Sequence, residues 1–211
     1  MVCSEERGVS MDDNKKFWDR CARFYTGIQQ RSNRRLYEDL NRMCMSHLKK
    51  DMDVLELACG TGQFTYPLCD LVHSWTATDF SEAMLTQAKK RPCSAVFTLR
   101  DATALPDGNR QYDLVLMGNA LHIMPQPGKA LSEIHRVLKD GGIFLAPTFV
   151  YEGKVNRFRM ALTNLAGFRT CHKWDSQGLT AFVEGSGFRC ISAELLPGDP
   201  LPVSFAVFRK I

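Results

Sequence analysis

The sequence predicts an α/β fold in which a mostly parallel sheet carries helices on both faces and ends in an antiparallel hairpin. An apolar run at 54–57 leads directly into a glycine turn at 60–62, as a buried parallel strand does when a helix follows it. Strand-like and helix-like segments then alternate, which is typical of a parallel sheet. The connection at 197–202 is too short for a crossover helix, so the last two strands should pair antiparallel.

Two amphipathic helices are expected before the sheet, at 11–28 and 31–48, because apolar residues recur there at helical spacing. These residues are Phe17, Trp18, Cys21, Phe24 and Tyr25 in the first helix, and Leu36, Leu40, Met43 and Leu48 in the second. We therefore expect an N-terminal helical cap at 1–48, followed by a single domain at 49–211.

The elements of that domain follow from apolar patterning and turn residues. The expected strands are 54–57, 74–78, 95–99, 112–117, 143–149, 188–196 and 203–210. The expected helices are 63–71, 81–88, 128–139 and 178–186. Pro67 should restrict the first of these helices to a short or kinked piece. Gly141 and Gly142 should form the left-handed C-terminal cap of the third.

Composition and charge exclude several classes of protein. With 211 residues, of which 45% are hydrophobic and 24% charged, the chain suits one soluble globular domain. A net charge of +4 is too small to indicate a nucleic-acid partner. The eight cysteines include no C-x-x-C pair and no signal peptide is visible, which favours reduced thiols, a cytoplasmic location and no metal site. No apolar run is long enough for a membrane span.

The glycine turn distinguishes two classes of cofactor. A dinucleotide fingerprint needs a third glycine where this chain has Thr65. The acidic residue stands before the glycines instead, in the pattern E-x-A-x-G-x-G. This pattern resembles motif I of the class I S-adenosylmethionine-dependent methyltransferases, with Ala58 in place of their first glycine. The resemblance implies that Glu56, Ala58, Gly60 and Gly62 surround the methionine and ribose portions of the cofactor.

Asp79 ends the second expected strand, where an acidic residue can accept both ribose hydroxyls. The segment 78–81 resembles motif II of the same family, which implies that Asp79 binds the ribose and that Phe80 and Met84 pack against the adenine. The alternative makes Asp79 the N-cap of the following helix, a role that Ser81 could fill better.

Asp101 and Ala102 follow the third expected strand and resemble motif III. The resemblance implies that the Asp101 carboxylate meets the adenine amino group and that a neighbouring backbone N–H meets a ring nitrogen. The alternative is a plain turn residue, since aspartate favours turns.

The segment 112–122 resembles motif IV and the residues that follow it. The resemblance implies a structural role for Asp113 at the strand start and a place for Asn119 beside the methionine portion of the cofactor. The segment lacks the Asn/Asp-Pro-Pro-Tyr/Phe signature, which argues against amino-group methylation of nucleobases or glutamine. His122 either takes a proton from the acceptor as a general base or packs as a structural residue, and both roles remain open.

The resemblance covers 36–210 and is closest to the branch that includes ubiquinone and menaquinone C-methyltransferases. The segment 17–25 is similar to an N-terminal helix that covers the cofactor in that branch, with a tyrosine at the position of Tyr25. An ordinary docking helix would have the same residues. The segment 130–142 matches a structural helix-and-glycine motif of the family.

The segment 147–178 is expected to shape the acceptor pocket, because it mixes apolar and basic side chains. The apolar residues are Phe149, Tyr151, Phe158, Leu162, Leu165, Phe168 and Trp174, and the basic ones are Lys154, Arg157, Arg159, Arg169 and Lys173. This mixture suits an apolar acceptor with an anionic group, or a membrane surface. The alternative is an amphipathic lid helix whose basic face is solvated.

These features predict a Rossmann-like, seven-stranded methyltransferase sheet, mostly parallel with a C-terminal antiparallel hairpin. The function expected from the resemblance is methyl transfer from S-adenosyl-L-methionine to a small, partly apolar acceptor by a monomer or homodimer, with nucleic acid disfavoured. One alternative is a regulatory protein that binds the cofactor without turnover. A second is a nicotinamide-dependent oxidoreductase, which Thr65 and the terminal hairpin disfavour.

Overall fold

The computed structural model describes residues 11–153, 155–165 and 169–211. Seven strands form one sheet in the order β3-β2-β1-β4-β5-β7-β6. The pairs among β1 to β5 are parallel, and β7 pairs antiparallel with both β5 and β6. The predicted fold class and terminal hairpin are therefore confirmed. Lys154 and Phe168, which the sequence placed in the acceptor segment, lie outside the described residues.

Helices precede β1 and separate most, but not all, of the strands along the chain. The strands are β1 Asp53–Leu57, β2 Ser74–Asp79, β3 Val96–Leu99, β4 Tyr112–Met117, β5 Leu138–Phe149, β6 Phe188–Leu196 and β7 Val203–Lys210. The helices are α1 Met11–Ser32, α2 Arg34–Met45, α3 Thr65–Leu68, α4 Glu82–Ala88, α5 Pro127–Val137, α6 Arg157–Leu165 and α7 Ser176–Glu184. Two short 3₁₀ helices lie at Cys69–Leu71 and Leu121–Ile123. No helix among the described residues combines the length and apolar character needed to cross a bilayer.

Alternation along β1 builds a hydrophobic core on each face of the sheet. Leu55 and Leu57 pack with residues of α5 and α7, whereas Val54 faces the opposite layer with residues of α2. Leu36 and Leu40 of α2 are buried in that second layer. Helix α2 thus contributes to the core of the sheet domain. The division of the N-terminal helices from that domain at residue 48 stays a prediction.

Two expectations about helix ends need correction or qualification. The predicted glycine cap of α5 is wrong: α5 ends at Val137, and Leu138 is already extended and pairs with Tyr112. Gly141 does have a positive φ of 73°, but it lies within β5, where the pairing shifts before Ile143. The helix expected at 63–71 is short, as Pro67 predicted, because only four residues of α3 are α-helical before a 3₁₀ turn.

The strand order predicts a ligand site at the carboxyl ends of the parallel strands. The order reverses between β1 and β4, from which the chain continues in opposite directions across the sheet. In open α/β sheets such a reversal leaves a crevice at the carboxyl ends of the strands. The glycine turn follows β1 and Asn119 follows β4, so both lie at this crevice.

Candidate functional site

The turn after β1 takes a left-handed backbone conformation at three of its positions. The φ angles are 54° at Ala58, 57° at Gly60 and 89° at Gly62. A Cβ on Gly62 would come within 2.7 Å of the Tyr66 ring, so glycine is required there by space as well as by φ. Ala58 has a positive φ, which glycine adopts more easily than any residue with a Cβ. This fits the glycine that the resemblance places at the position of Ala58.

Asp79 joins the ends of β1 and β2 through its carboxylate. Its Oδ2 accepts a hydrogen bond from the Gly60 N–H at 2.8 Å, and its Oδ1 accepts one from the Ser81 N–H at 2.9 Å. Burial raises the pKa of Asp79 to about 6, although these amide donors favour its ionised form. Ser81, not Asp79, caps α4, since its hydroxyl accepts from the Met84 N–H at 3.1 Å. The capping alternative for Asp79 is thereby removed.

Glu56 is directed into the core. Its Oε2 accepts hydrogen bonds from the Thr65 hydroxyl at 2.6 Å and from the Trp75 indole at 2.8 Å. Burial raises the pKa of Glu56 to about 7, and the charge of nearby Asp79 contributes in the same direction. The carboxylate therefore secures α3 and β2 against β1. Thr65, which replaces the third glycine of a dinucleotide fingerprint, is a partner in this arrangement.

A cavity of about 60 Å³ lies beyond the carboxyl ends of β1, β2 and β4. Four of the predicted cofactor residues line it, namely Ala58, Phe80, Asp101 and Ala102. Asp101 is exposed, and its Oδ1 accepts from both the N–H and the hydroxyl of Thr103 at 2.8 Å. Asp101 therefore forms a turn and lines the cavity at the same time, so its two alternative roles are compatible.

Helix α1 lies over this end of the sheet. Trp18 lines the cavity and packs edge-on against Tyr25, with 5.5 Å between the ring centroids. The Tyr25 ring comes within 3.7 Å of the place where a Gly60 Cβ would stand. Asp19 accepts a hydrogen bond from the Ser81 hydroxyl at 2.5 Å. These contacts keep the cavity much smaller than the roughly 300–1,000 Å³ of small-molecule sites.

The end of β4 contains a polar group oriented by α2. Asn119 has a φ of 54°, and its amide donates to the Tyr37 hydroxyl at 3.3 Å. The Asn119 Oδ1 is buried and has no hydrogen-bond partner among the described residues. A Cβ on Gly118 would come within 2.3 Å of the Phe64 ring, so this strand end packs tightly against the residue that precedes α3. The Asn119 Oδ1 can therefore accept a hydrogen bond from a ligand at the crevice.

His122 is buried in the 3₁₀ turn that follows β4. Its side chain is 2% exposed and meets the Phe149 ring edge-on, at 5.8 Å between centroids. Its carbonyl oxygen accepts from the N–H groups of Cys171 and His172. Burial, with a contribution from His172, lowers the pKa of the His122 imidazole to about 3. His122 is not among the residues that line the cavity, and this geometry supports the packing role over the general-base role.

A larger cleft of about 580 Å³ opens on the other side of the glycine turn, between that turn and α2. It is lined by Arg34, Tyr37, Glu38, Asn41, Thr61, Gly62, Gln63, Tyr66, Pro67 and Arg91. Only Gly62 among the predicted site residues belongs to this lining. The two cavities therefore flank the turn, one on its β2 side and one on its α2 side.

The sequence did not identify three residues of this region. Trp18 was assigned only to a helix face, although its spacing of seven residues from Tyr25 puts both aromatic rings on the same side of α1. Asp19 and Tyr37 reach the site through contacts with Ser81 and Asn119, which lie 62 and 82 residues away in the chain. No local pattern reports such pairings.

The arrangement offers acceptors for a ligand that carries several donors. The Asp79 carboxylate, the Asp101 carboxylate and the Asn119 amide oxygen lie at or beside the carboxyl ends of β2, β3 and β4 respectively. Ala58, Phe80 and Ala102 supply apolar surface between them. These residues fit a nucleoside with a positively charged group, because the buried Asn119 Oδ1 is an unfilled acceptor and the glycine turn leaves the backbone accessible.

This region is similar to a known domain family. Residues 54–142 match the family described as "Methyltransferase domain". A demethylmenaquinone methyltransferase of Staphylococcus aureus is 32% identical over 148 residues, covering 63% of this chain and 61% of that protein. An uncharacterized chloroplastic methyltransferase of Arabidopsis thaliana is 34% identical over 124 residues, covering 53% of this chain and 35% of that protein. The chain thus spans less than two thirds of the length of either relative.

Among solved structures, a methyltransferase with nearly the same extent has a similar fold. The 1,6-didemethyltoxoflavin-N1-methyltransferase of Burkholderia thailandensis, solved with 1,6-didemethyltoxoflavin and S-adenosylhomocysteine bound, superposes with a TM-score of 0.74. The alignment covers 99% of this chain and 93% of that chain at 18% identity. At this identity the likeness establishes the fold.

Proposed function

We propose that the chain is a class I S-adenosylmethionine-dependent methyltransferase, which transfers a methyl group from S-adenosyl-L-methionine to a small, partly apolar acceptor. The observation that carries the proposal is the bond between the Gly60 N–H and the buried Asp79 carboxylate. It holds a left-handed glycine turn and an acidic residue together at the carboxyl ends of β1 and β2, where open α/β sheets bind ligands. Both residues lie inside the matched segment 54–142.

Each predicted cofactor residue has a role in this proposal. Asp79 accepts the ribose hydroxyls, while Phe80, Met84, Asp101 and Ala102 hold the adenine. The backbone around Ala58, Gly60 and Gly62 faces the methionine portion, and Tyr25 covers it from α1. Glu56 supports this region from the core through Thr65 and Trp75.

Asn119 is proposed to orient the charged end of the cofactor. Its buried Oδ1 would accept from the ammonium group of the methionine portion, which would satisfy the otherwise unpaired acceptor. Tyr37 fixes the orientation of this amide by accepting from its nitrogen. When bound, S-adenosylmethionine supplies a methyl group on a sulfonium, which is already a good leaving group. The chain's own contribution is then alignment of the acceptor and exclusion of water.

Cofactor entry requires α1 to shift from its described position. A cavity of about 60 Å³ is too small for a nucleoside. Trp18 of α1 forms part of the wall of this cavity. The hydrogen bond between Asp19 and Ser81 is one of the contacts that hold α1 at this place. We expect α1 to close again over the bound cofactor, with Trp18 and Tyr25 excluding water from the transferred methyl group.

The acceptor is proposed to be small and partly apolar. Support comes from the apolar lining of the cavity by Met117, Ala120, Ile123 and Met124. The matched relative from Staphylococcus aureus is named for methylation of demethylmenaquinone, so quinone-like aromatic rings belong in the first set of acceptors to be tested. The atom that receives the methyl group follows from that test.

Two measurements test the proposal in sequence. A ligand at about 100 times its dissociation constant stabilises a protein by about 2.7 kcal/mol, which raises the melting temperature of a domain of this size by roughly 5–10 °C. S-Adenosylhomocysteine should produce this shift and NAD should not. The reverse result would contradict the family assignment and support a nicotinamide-dependent oxidoreductase.

An acceptor screen then tests turnover. Release of S-adenosylhomocysteine that depends on one acceptor supports the enzyme. Tight cofactor binding, with no acceptor-dependent release across a broad screen, supports a regulatory protein instead. The regulatory protein is retained as a second candidate function because a fold by itself does not establish a reaction.

A further inference from the structure

The positive charge of the chain is concentrated in two segments. Residues 20–37 and 153–174 together contain ten of the 27 lysines and arginines and none of the 23 aspartates and glutamates. The rest of the chain therefore has 17 basic and 23 acidic residues, an excess of negative charge. The overall charge of +4 thus conceals a strongly basic region on an otherwise acidic protein.

The structure brings the two basic segments together. Arg159 of α6 donates to the Ser32 hydroxyl at the end of α1, at 2.7 Å. Asp199 pairs with Arg159 and also accepts from the Asn156 side chain, while the backbone of Asp199 exchanges two hydrogen bonds with the Asn33 side chain. The start of α6 therefore adjoins the junction between α1 and α2, and the two segments form one continuous basic region.

Most cations of this region have no acidic partner within the described part of the chain. The residues without an ion pair there are Arg20, Arg23, Arg35, Arg157, Arg169 and Lys173, all of which are exposed. Arg159 and Arg34 are paired, with Asp199 and Glu38 respectively. Unpaired cations at this density create a positive potential that neighbouring carboxylates do not cancel.

The same region contains the most exposed apolar side chains. Among the large hydrophobic residues that the structure describes, Leu165, Phe158 and Phe24 are the three most exposed, at 86%, 75% and 70%. Each lies within one of the two basic segments. A helix such as α6, with exposed phenylalanine and leucine, flanking arginines and no acidic residue, has the composition of an interfacial membrane-binding helix.

We propose that this surface, formed by the described parts of α1 from Arg20 onwards, of α6 and of residues 33–37 and 169–174, docks on a lipid bilayer with anionic headgroups. The arginines attract the headgroups, and Phe24, Phe158 and Leu165 enter the acyl boundary. A structured nucleic acid would satisfy the cations but would leave the aliphatic Leu165 in water. The docking does not depend on the proposed methyl transfer.

The location of the surface links it to the candidate site. The N–H groups of Cys171 and His172, just after Arg169, donate to the carbonyl oxygen of His122 beyond β4. Tyr25, the neighbour of Phe24, contacts the glycine turn. The docked face therefore borders the crevice where an acceptor would enter, and an apolar acceptor dissolved in a bilayer would reach the site without crossing bulk water.

Vesicle flotation tests the proposal directly. The full chain is mixed with phosphatidylcholine vesicles, with and without phosphatidylglycerol, at low and high salt. We expect flotation only with the anionic vesicles and release by salt. Arg157→Ala with Arg169→Ala should weaken binding about 25-fold, since each basic residue near an anionic surface contributes about fivefold. Phe158→Ser should weaken it about tenfold.

Matched variants on the β3 side of the sheet, outside the two basic segments, control for general effects. Lys89→Ala with Lys90→Ala removes two exposed cations from the end of α4, and Val96→Ser removes an exposed apolar residue of β3. Both controls should bind anionic vesicles as the unmodified chain does, and melting temperatures confirm that all variants fold. The proposal is overturned if the chain does not float with anionic vesicles, or if the control variants lose as much vesicle binding as the test variants. It is also overturned if RNA competes for the chain while Phe158→Ser binds vesicles normally.

Discussion

Gly60 and Asp79 are joined by a hydrogen bond of 2.8 Å from the Gly60 N–H to the Asp79 Oδ2. This bond ties the turn after β1 to the end of β2, and it leaves the same carboxylate next to the proposed ribose position. Asp79 thus shapes the turn and, in the proposed function, also binds the ribose, so its substitution should lower cofactor affinity and alter the turn locally.

Asp79→Asn should lower affinity for S-adenosylhomocysteine by about tenfold to hundredfold, because hydrogen bonds to a charged group contribute about 1.5–3 kcal/mol. Asparagine retains one acceptor oxygen, so the fold should remain intact. Calorimetry measures the affinity, and circular dichroism checks the fold. Asp70→Asn changes an exposed carboxylate of the 3₁₀ helix Cys69–Leu71, which precedes β2. This variant is the control and should bind normally. Unchanged affinity in Asp79→Asn would leave Asp79 with a purely structural role.

Cofactor affinity should rise as the pH rises through the pKa of Asp79. Burial raises this pKa to about 6. The ribose hydroxyls donate to the ionised carboxylate, so the protonated form that prevails below this pKa binds less well. We expect the dissociation constant to fall between about pH 5 and about pH 7 and then to level off. The Asp79→Asn variant should lack this dependence, and a profile that persists in it would assign the titration to another group.

Glu56→Gln should reduce the pH dependence of stability. The pKa of Glu56 is raised from 4.5 to about 7 in the folded state. Between these values the unfolded chain ionises while the folded chain retains its proton, so the free energy of unfolding falls as the pH rises. At about 1.4 kcal/mol per unit, this loss is on the order of 3 kcal/mol above pH 7.

Glutamine keeps an acceptor oxygen for Thr65 and Trp75 but cannot ionise. Chemical denaturation of both proteins at about pH 5 and about pH 8 measures the difference. The substituted protein should lose less stability across this interval. An equal loss in both proteins would show that Glu56 does not titrate in this range.

Gly118→Ala should destabilise the protein by about 1–3 kcal/mol, as overpacking of a core does. The added Cβ would lie 2.3 Å from Phe64 Cε2 at the end of β4. Gly128→Ala is the matched control, because nothing lies within 4 Å of its Cβ and the residue is part of α5. The control should be neutral or slightly stabilising. Urea unfolding of the two variants decides the point, and a double variant with Phe64→Leu should recover part of the loss at Gly118.

His122→Ala should destabilise the fold more than it impairs the chemical step. The imidazole is buried and its pKa is lowered to about 3, so it is neutral at pH 7 and a weak base. We expect a loss of about 1–3 kcal/mol in unfolding free energy. Below its ordinary pKa of 6.5, His122 gains a proton in the unfolded chain but not in the folded one. The free energy of unfolding therefore falls as the pH is lowered. The His122→Ala variant should lack this contribution to the pH dependence.

Turnover separates the two roles of His122. With the true acceptor, the pH profile of the His122→Ala variant should resemble that of the unmodified enzyme. Loss of a limb near the imidazole pKa, with turnover lower by about 10² to 10⁴ and stability unchanged, would support the general base instead.

The order of elements and the hairpin were predictable because they rest on local patterns. The apolar run into Gly60, the alternation of segments and the short link at 197–202 each constrain the backbone within a few residues. Ser81 as the cap of α4 follows from the same local chemistry. The glycine cap of α5 failed because β5 pairs with β4 from Leu138 onwards, and sheet pairing outweighs a local turn preference.

The sequence by itself determined the fold class, the strand ends that meet at the crevice, and the set of residues proposed to hold a cofactor. The tertiary structure decided where those side chains point. It turned Glu56 towards Thr65 and Trp75, buried His122 against Phe149, and placed α1 across the cavity through Trp18. The physical reason is that periodicity and turn chemistry act over a few residues. Side-chain direction and pKa depend on burial against segments far away in the chain.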